Sequence, residues 1–318
     1  MTKLNDPGSP LRTANTGNPS NIMVPKKIVG AMLVPYTYAV SAANCATSSL
    51  FITEMQKIIL AEPTTRGYPI GPFTDNTPKT EEDVYVKSNY GVSTFVRDGK
   101  IGWAFAMTAG GIGLQKNLRA FNQTKAHKLF FWDSDKTWFG VDDGAGGMKG
   151  FEIEDFHAKA WSVNDGAKPA GFNVEILFAN TSELADDINF IKLDSHPNDI
   201  IKGLIDVVLE KVSSSSTHAF IRLMTKAARI NLFDQYSADL DAAAAWYAET
   251  AGTEVTISSV TANPATKDFD LALTVGATTT IQLETPAILD GLNVGGPPNS
   301  GYESNRITIT DGSPQDRI

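Results

Sequence analysis

The sequence predicts a mainly β protein of α+β character: a β-rich body with short helices, followed by a C-terminal β-sandwich. Two observations carry that class. The last third is made of short period-2 runs, Gly252 to Thr261, Phe269 to Val275, Thr279 to Leu283 and Asn305 to Thr310, punctuated by Ala262-Asn-Pro264 and other Gly, Asn, Pro and Asp residues. Alternation of this kind, with turn formers between the runs, builds small antiparallel strands. Residues 84–178 repeat the pattern in longer apolar and aromatic runs.

Taken in order, Met1 to Pro25 is rich in Asn, Pro, Ser, Thr and Gly and predicts an extended arm, assigned here to residues 1–27. It lacks the charged start and unbroken apolar core of a signal peptide. Residues 28–52 are too polar for a spanning helix. Ser49 to Leu60 has helical apolar spacing and stops at Glu62-Pro63. Residues 63–83, with Pro63, Pro69, Pro72 and Pro78, are expected to form a long, contact-making loop. Strands are expected at Val84 to Lys87, Ser93 to Arg97 and Ile101 to Met107. Asp98-Gly99 is the hairpin turn between the last two.

A short helix is expected over Gly113 to Asn122, then a second hairpin pairs Lys128 to Trp132 with Thr137 to Val141. Apolar runs follow at Phe151 to Trp161 and Phe172 to Phe178. A break at residues 193–200 divides an assembly domain, 28–196, from a sandwich domain, 197–318. Leu204 to Val212 and Ala219 to Thr225 are two strands joined by Ser213 to Ser216, with a helical reading left open by their Leu, Met, Glu and Lys. Asp239 to Glu249 is a short Ala-rich helix or turn.

The formal net charge is −9, unevenly spread. Residues 1–150 carry 16 Lys plus Arg against 12 Asp plus Glu, and residues 151–318 carry 11 against 24. Neither half holds the basic cluster with which proteins grip phosphates, so DNA binding is disfavoured. The single cysteine, Cys45, excludes an intramolecular disulfide and a Cys-based zinc site, and is expected to be a buried filler. A cytoplasmic folding environment follows.

Candidate chemistry is sparse. Gly144 to Gly150 is glycine-rich but lacks the Lys-Ser/Thr pair of a phosphate loop, and Gly110 to Gly113 is expected to be a close-packed turn. Asp133, Asp135, Asp142 and Asp143 bracket the second hairpin without calcium-loop spacing and are expected to be solvated turn residues. His127, His157, His196 and His218 are scattered, and Ser213 to Ser216 lack a nucleophile-elbow pattern. No catalytic, cofactor-binding or metal-binding residue is assigned, and no enzyme activity is expected.

Tyr90-Gly91, Phe95-Val-Arg-Asp-Gly99, Leu118-Arg-Ala-Phe-Asn122, Phe130-Phe-Trp-Asp133, Phe139-Gly140, Lys149-Gly-Phe151 and Asn164-Asp-Gly166 together resemble virion structural proteins of tailed phages infecting Bacteroidetes. Trp246-Tyr, Gly291-Leu-Asn-Val-Gly-Gly and Gly301-Tyr-Glu-Ser look like bacterial immunoglobulin-like domains. The resemblance implies a tail-tube subunit: a barrel-forming body and an immunoglobulin-like sandwich, assembled with copies of itself into hexameric rings that stack as a DNA conduit. It also implies other virion proteins as partners, transient passage of DNA without specific binding, no membrane, and a place in the phage tail after synthesis in the host cytoplasm. A major capsid or head-decoration protein is the first alternative. The only candidates for its long spine helix, 49–60 and 197–212, are short. A bacterial surface-binding protein with an immunoglobulin-like domain is the second, disfavoured by the absent secretion signal.

Overall fold

The computed structural model describes residues 25–87, 89–109, 111–163, 169–226, 229–276, 278–284 and 302–310. The expected N-terminal arm lies almost wholly outside them, as do Asn164-Asp-Gly166 and the stretch from Gly291 to Gly301. The protein is mainly β with few short helices, and it divides into two compact units, Met1–Ile201 and Lys202–Ile318.

In the first unit the strands are β1 (Ile28–Pro35), β2 (Ala39–Val40), β3 (Tyr68–Ile70), β4 (Asp75–Pro78), β5 (Val84–Lys87), β6 (Ser93–Arg97) and β7 (Gly102–Met107). They continue with β8 (His127–Asp133), β9 (Thr137–Asp142), β10 (Met148–Lys149), β11 (Phe151–Ala158), β12 (Phe172–Phe178) and β13 (Ile188–Lys192). Eleven of them form one sheet in the order β2-β10-β9-β8-β11-β12-β7-β4, with β1 also on β8, β3 on β1 and β13 on β9. The sheet turns a corner within β11. Phe151 and Glu152 pair with β8, whereas Ile153 to Ala158 pair with β12. The two halves close over a shared core: Ala31, Leu33, Leu129, Phe131, Phe139 and Val141 from one, Phe105, Met107, Val174 and Ile176 from the other.

The first half is covered on its other face too. Helix α1 (Ser48–Ile59) buries Phe51, Met55, Ile58 and Ile59, an i, i+4, i+7, i+8 stripe. Phe51 meets Trp138 edge-on at 5.4 Å, and Trp138 stacks on Trp132 at 4.5 Å. Thr47 caps the helix by accepting from the Leu50 amide. This three-layer arrangement explains why β8 is a continuous apolar run: strands buried on both faces lose their polar alternation. Gly30 lies opposite Trp132, and a Cβ there would stand 2.3 Å from the indole ring. Helix α2 (Gly111–Leu118) and a 3-10 turn (Arg119–Phe121) occupy the expected helical segment, and α3 (Thr181–Ala185) and α4 (Pro197–Ile200) are short.

In the second unit, β14 (Ile205–Ser214), β15 (His218–Thr225), β16 (Trp246–Thr250), β17 (Thr253–Glu254), β18 (Ser259–Asn263), β19 (Asp268–Ala272), β20 (Thr279–Leu283), β21 (Tyr302–Ser304) and β22 (Ile307–Ile309) form two sheets. Their orders are β18-β19-β15-β14-β21 and β17-β16-β20-β22. One core joins them, with Leu209, Ile221, Phe269 and Leu271 from the first and Trp246, Ala248, Ile281 and Ile309 from the second. Trp246 donates its indole N–H to the Leu240 carbonyl at 2.9 Å.

Two readings left open are decided and two expectations corrected. Leu204 to Val212 and Ala219 to Thr225 are strands, with Val207, Leu209, Ile221 and Leu223 alternating into the core, and the spine candidate 197–212 holds only the short α4 before β14 begins. Of helix or turn at Asp239 to Glu249, the turn forms, a 3-10 turn at Ala243–Ala245, and the end of the stretch enters β16, where Trp246 and Ala248 face the sandwich core at period 2. The 63–83 loop contains β3, β4 and the start of a long ribbon.

Candidate assembly surface

The ribbon is the part of the first unit that its cores do not explain. Asp75 lies opposite Ala106, Asn76 opposite Phe105, Thr77 opposite Ala104 and Pro78 opposite Trp103. The ladder then continues outward, with the Lys79 amide donating to the Gly102 carbonyl and the Glu81 amide to that of Lys100. Val84 opposite Arg97 keeps the same register. A one-residue bulge at Val84/Tyr85 follows, and Tyr85, Val86 and Lys87 then pair with Phe95, Thr94 and Ser93. Residues 75–106 are therefore one hairpin, rooted in the sheet through β4, β7 and β12.

The expected Asp98-Gly99 turn between 93–97 and 101–107 is therefore wrong. Those two runs are successive stretches of one leg, and β6 pairs with β5. The tight turn favoured by Asp-Gly requires left-handed backbone, and Gly99 is not among the positive-φ residues. It serves as a close crossing: a Cβ on Gly99 would come within 2.0 Å of the Glu81 carbonyl oxygen, and its amide donates to Asp83 Oδ1 at 2.9 Å. The left-handed residue is Gly91, φ +78°, at the ribbon tip. A glycine between two β-branched and aromatic runs was the signal that could have located it.

Root and tip differ in burial. At the root, Phe105 and Met107 point into the core and Ala104 is buried beneath its neighbours. At the tip, every residue of β6 is exposed, as are Tyr85 and Val86, at 55% and 58%. Tyr85 and Phe95 meet edge-on at 5.7 Å on one face, Val86 lies on the other, and Val96 is the exposed bulge residue between Phe95 and Arg97. Both faces are thus apolar and open. A two-stranded hairpin is marginal in water without a surface to pack on, and exposed apolar patches mark contact sites.

The ribbon's free edge is blocked at the root. Lys79 and Glu81 direct their amides inward, so by antiparallel alternation Asn76 and Pro78 face outward. The Asn76 amide is taken by Asp75 Oδ1 at 2.8 Å, and Pro78 has no N–H to offer. Such devices keep an edge from pairing indiscriminately.

Beside the root, the solvent face of the sheet carries the row His157, Glu175, Ala104 and Thr77 across β11, β12, β7 and β4. Glu175 bonds Lys159 at 2.7 Å and Lys79 at 2.5 Å. Burial alone would raise its carboxyl; the two ammonium groups outweigh that and hold it below the usual range. Next to this row a groove of about 720 Å³ is lined by Asp75, Thr77, Ala104, Ala106, Met107, Val163 and Phe172, among others.

The other sequence candidates fall elsewhere and apart. Asp133 is buried and organises the β8–β9 turn, accepting from the amides of Lys26, Asp135 and Thr137, where a solvated residue was expected. Asp135 pairs with Lys192 at 3.0 Å, whose hydrogen bond lowers its pKa. Asp142 and Asp143 stand at the far end of β9 and accept from the amides of Gly144, Ala145 and Gly147. Those are the donors a phosphate would need in the glycine-rich loop, and carboxylates hold them. Gly111 has φ +63° with open space around it, so backbone conformation and not close packing calls for glycine there; Gly110 lies outside the described residues. The histidines sit on separate elements: His127 beside Phe121, His157 on β11, His196 capping α4, and His218 bonded to Asp270 at 2.8 Å. Ser215 Oγ accepts the His218 amide in the β14–β15 turn. Cys45 is buried, and loss of solvation together with the Asp143 and Asp142 charges pushes its thiol up to about 12. Among the described residues no three metal-ligating side chains cluster, and no helix is long and apolar enough to cross a membrane.

Comparison with protein-family models and with curated proteins finds no match.

Proposed function

We propose that this chain is a structural virion subunit, the tail-tube protein of a tailed phage, which associates with copies of itself into stacked rings around a DNA conduit. The observation that carries the reading is the ribbon tip: six large apolar residues between Tyr85 and Val96 are exposed on a β-hairpin that reaches away from its own core. Ordering such a segment costs conformational entropy, which contact with a neighbouring copy offsets. The immunoglobulin-like character of the second unit belongs to this proposal, supported by its two sheets over one core. A shell subunit would bring a long spine helix, whereas the longest helix among the described residues is α1, of 12 residues.

Negative-stain microscopy of the purified chain across a concentration series tests the reading. Rings or tubes are expected. Closed shells would favour the capsid alternative, and a chain that stays monomeric at high concentration would remove self-assembly altogether.

A further inference from the structure

We infer that the groove at the ribbon root is the receptor for the ribbon tip of a second copy, so that copies join head to tail. The inference rests on the self-assembly reading above and deepens it by naming both halves of the contact. The groove is of mixed character: Ala106 and Val163, the latter an apolar residue left 81% exposed, line it together with Thr74, Thr77, Thr108, Ser162 and Asn173. The tip presents Tyr85, Val86, Phe95 and Val96, at 49% to 58% exposure, on both faces of a narrow two-stranded wedge.

A chain cannot fill its own groove. Asp75 and Tyr85 lie on the same leg, ten residues apart on an extended ladder, which separates root from tip by roughly 30 Å. Only another copy brings a tip to the groove. Charge agrees with this pairing. Residues 84–97 contain Lys87 and Arg97 and no acid, whereas Asp75 is the only charged residue lining the groove among the described residues. None of these three has an ion-pair partner among the described residues. The blocked edge at Asn76 and Pro78 fits as well: strand addition is discouraged at the root, and the open groove beside it accepts side chains instead. Because tip and groove are different surfaces, the contact is heterologous, and repeating it gives a closed ring or an open filament.

The test is a directed cross-link. Cys45 is buried and does not compete, so chains carrying Phe95→Cys are mixed with chains carrying Ala106→Cys under mild oxidation. The mixture is expected to give a covalent pair that neither variant gives alone. In parallel, Arg97→Glu is expected to raise the concentration needed for assembly by about tenfold, and Asp75→Lys in the same chain to restore it. Wild-type assembly without either the mixed cross-link or the charge rescue overturns the groove contact and leaves self-assembly standing. A wild-type chain that remains monomeric overturns both.

Discussion

Strands β8 and β6 are written in the same alphabet and meet opposite fates. Leu129, Phe130, Phe131 and Trp132 are buried on both faces, one against the second half of the sheet and the other against α1. Thr94, Phe95, Val96 and Arg97 are exposed on both. Aromatic and β-branched residues fix the extended backbone in each case, but what covers the faces is decided by the rest of the chain. For β8 the covering elements lie in the same molecule. For β6 no described residue covers them, and that difference separates residues that hold the fold together from residues that, on the proposed reading, join it to other copies.

The comparison is broken most forcefully by truncating one aromatic in each strand. Phe131 stacks on Phe139 at 5.1 Å and on Phe151 at 5.0 Å and meets Trp103 edge-on at 5.0 Å. Phe131→Ala is therefore expected to lower unfolding stability by about 3–5 kcal/mol in urea titration. Phe95→Ala should change it by less than about 0.5 kcal/mol while impairing assembly. Equal losses in the two variants would place the tip within the subunit's own stabilising core.

A smaller effect is expected where root becomes tip. Gly99→Ala puts a methyl against the Glu81 carbonyl and should force the legs apart at a cost of about 1–3 kcal/mol, confined to the ribbon. Hydrogen exchange reads it out. The Glu81 amide, bonded to the Lys100 carbonyl at 2.9 Å, should lose protection while the Phe131 amide keeps its own. Unchanged protection at Glu81 would mean that the legs do not cross closely at Gly99.

Much of this fold was legible in the residues. Ser49 to Leu60 matches α1 because its apolar spacing is helical, and the Lys128 to Val141 hairpin matches β8 and β9 because both strands are strongly apolar. Alternation locates β18, β19, β20 and β22 of the sandwich, whereas β16 is hidden under an Ala-rich stretch that reads as helix or turn. What could not be read was pairing between segments distant in sequence. Asp98-Gly99 is a strong local turn signal, overridden because β7 is fixed on both sides, by β12 and by β4, and its leg must run straight through Gly99. Proline-bearing 63–83 reads locally as a loop for the same reason: Pro78 is tolerated in β4 only because it faces the free edge. The candidate surface was half legible. Its strands were visible in the sequence, but exposure of both their faces is a fact of the assembled sheet, which no local pattern contains.

The gentlest test concerns the charges at the ribbon root. Glu175 draws Lys79 of the ribbon leg and Lys159 onto the sheet, so Glu175→Gln should loosen the root by no more than about 1 kcal/mol at pH 7, given the partial exposure of all three groups. The sign with pH follows from the lowered carboxyl. A carboxylate held below its unfolded value, about 4.3, stabilises the fold fully above that value and loses its contribution as pH falls through the folded one. Urea midpoints of wild type and Glu175→Gln should therefore differ at pH 7 and converge in acid. A gap that stays constant into acid would assign the root's cohesion to packing around Ala104 and leave the ion pairs without a part in it.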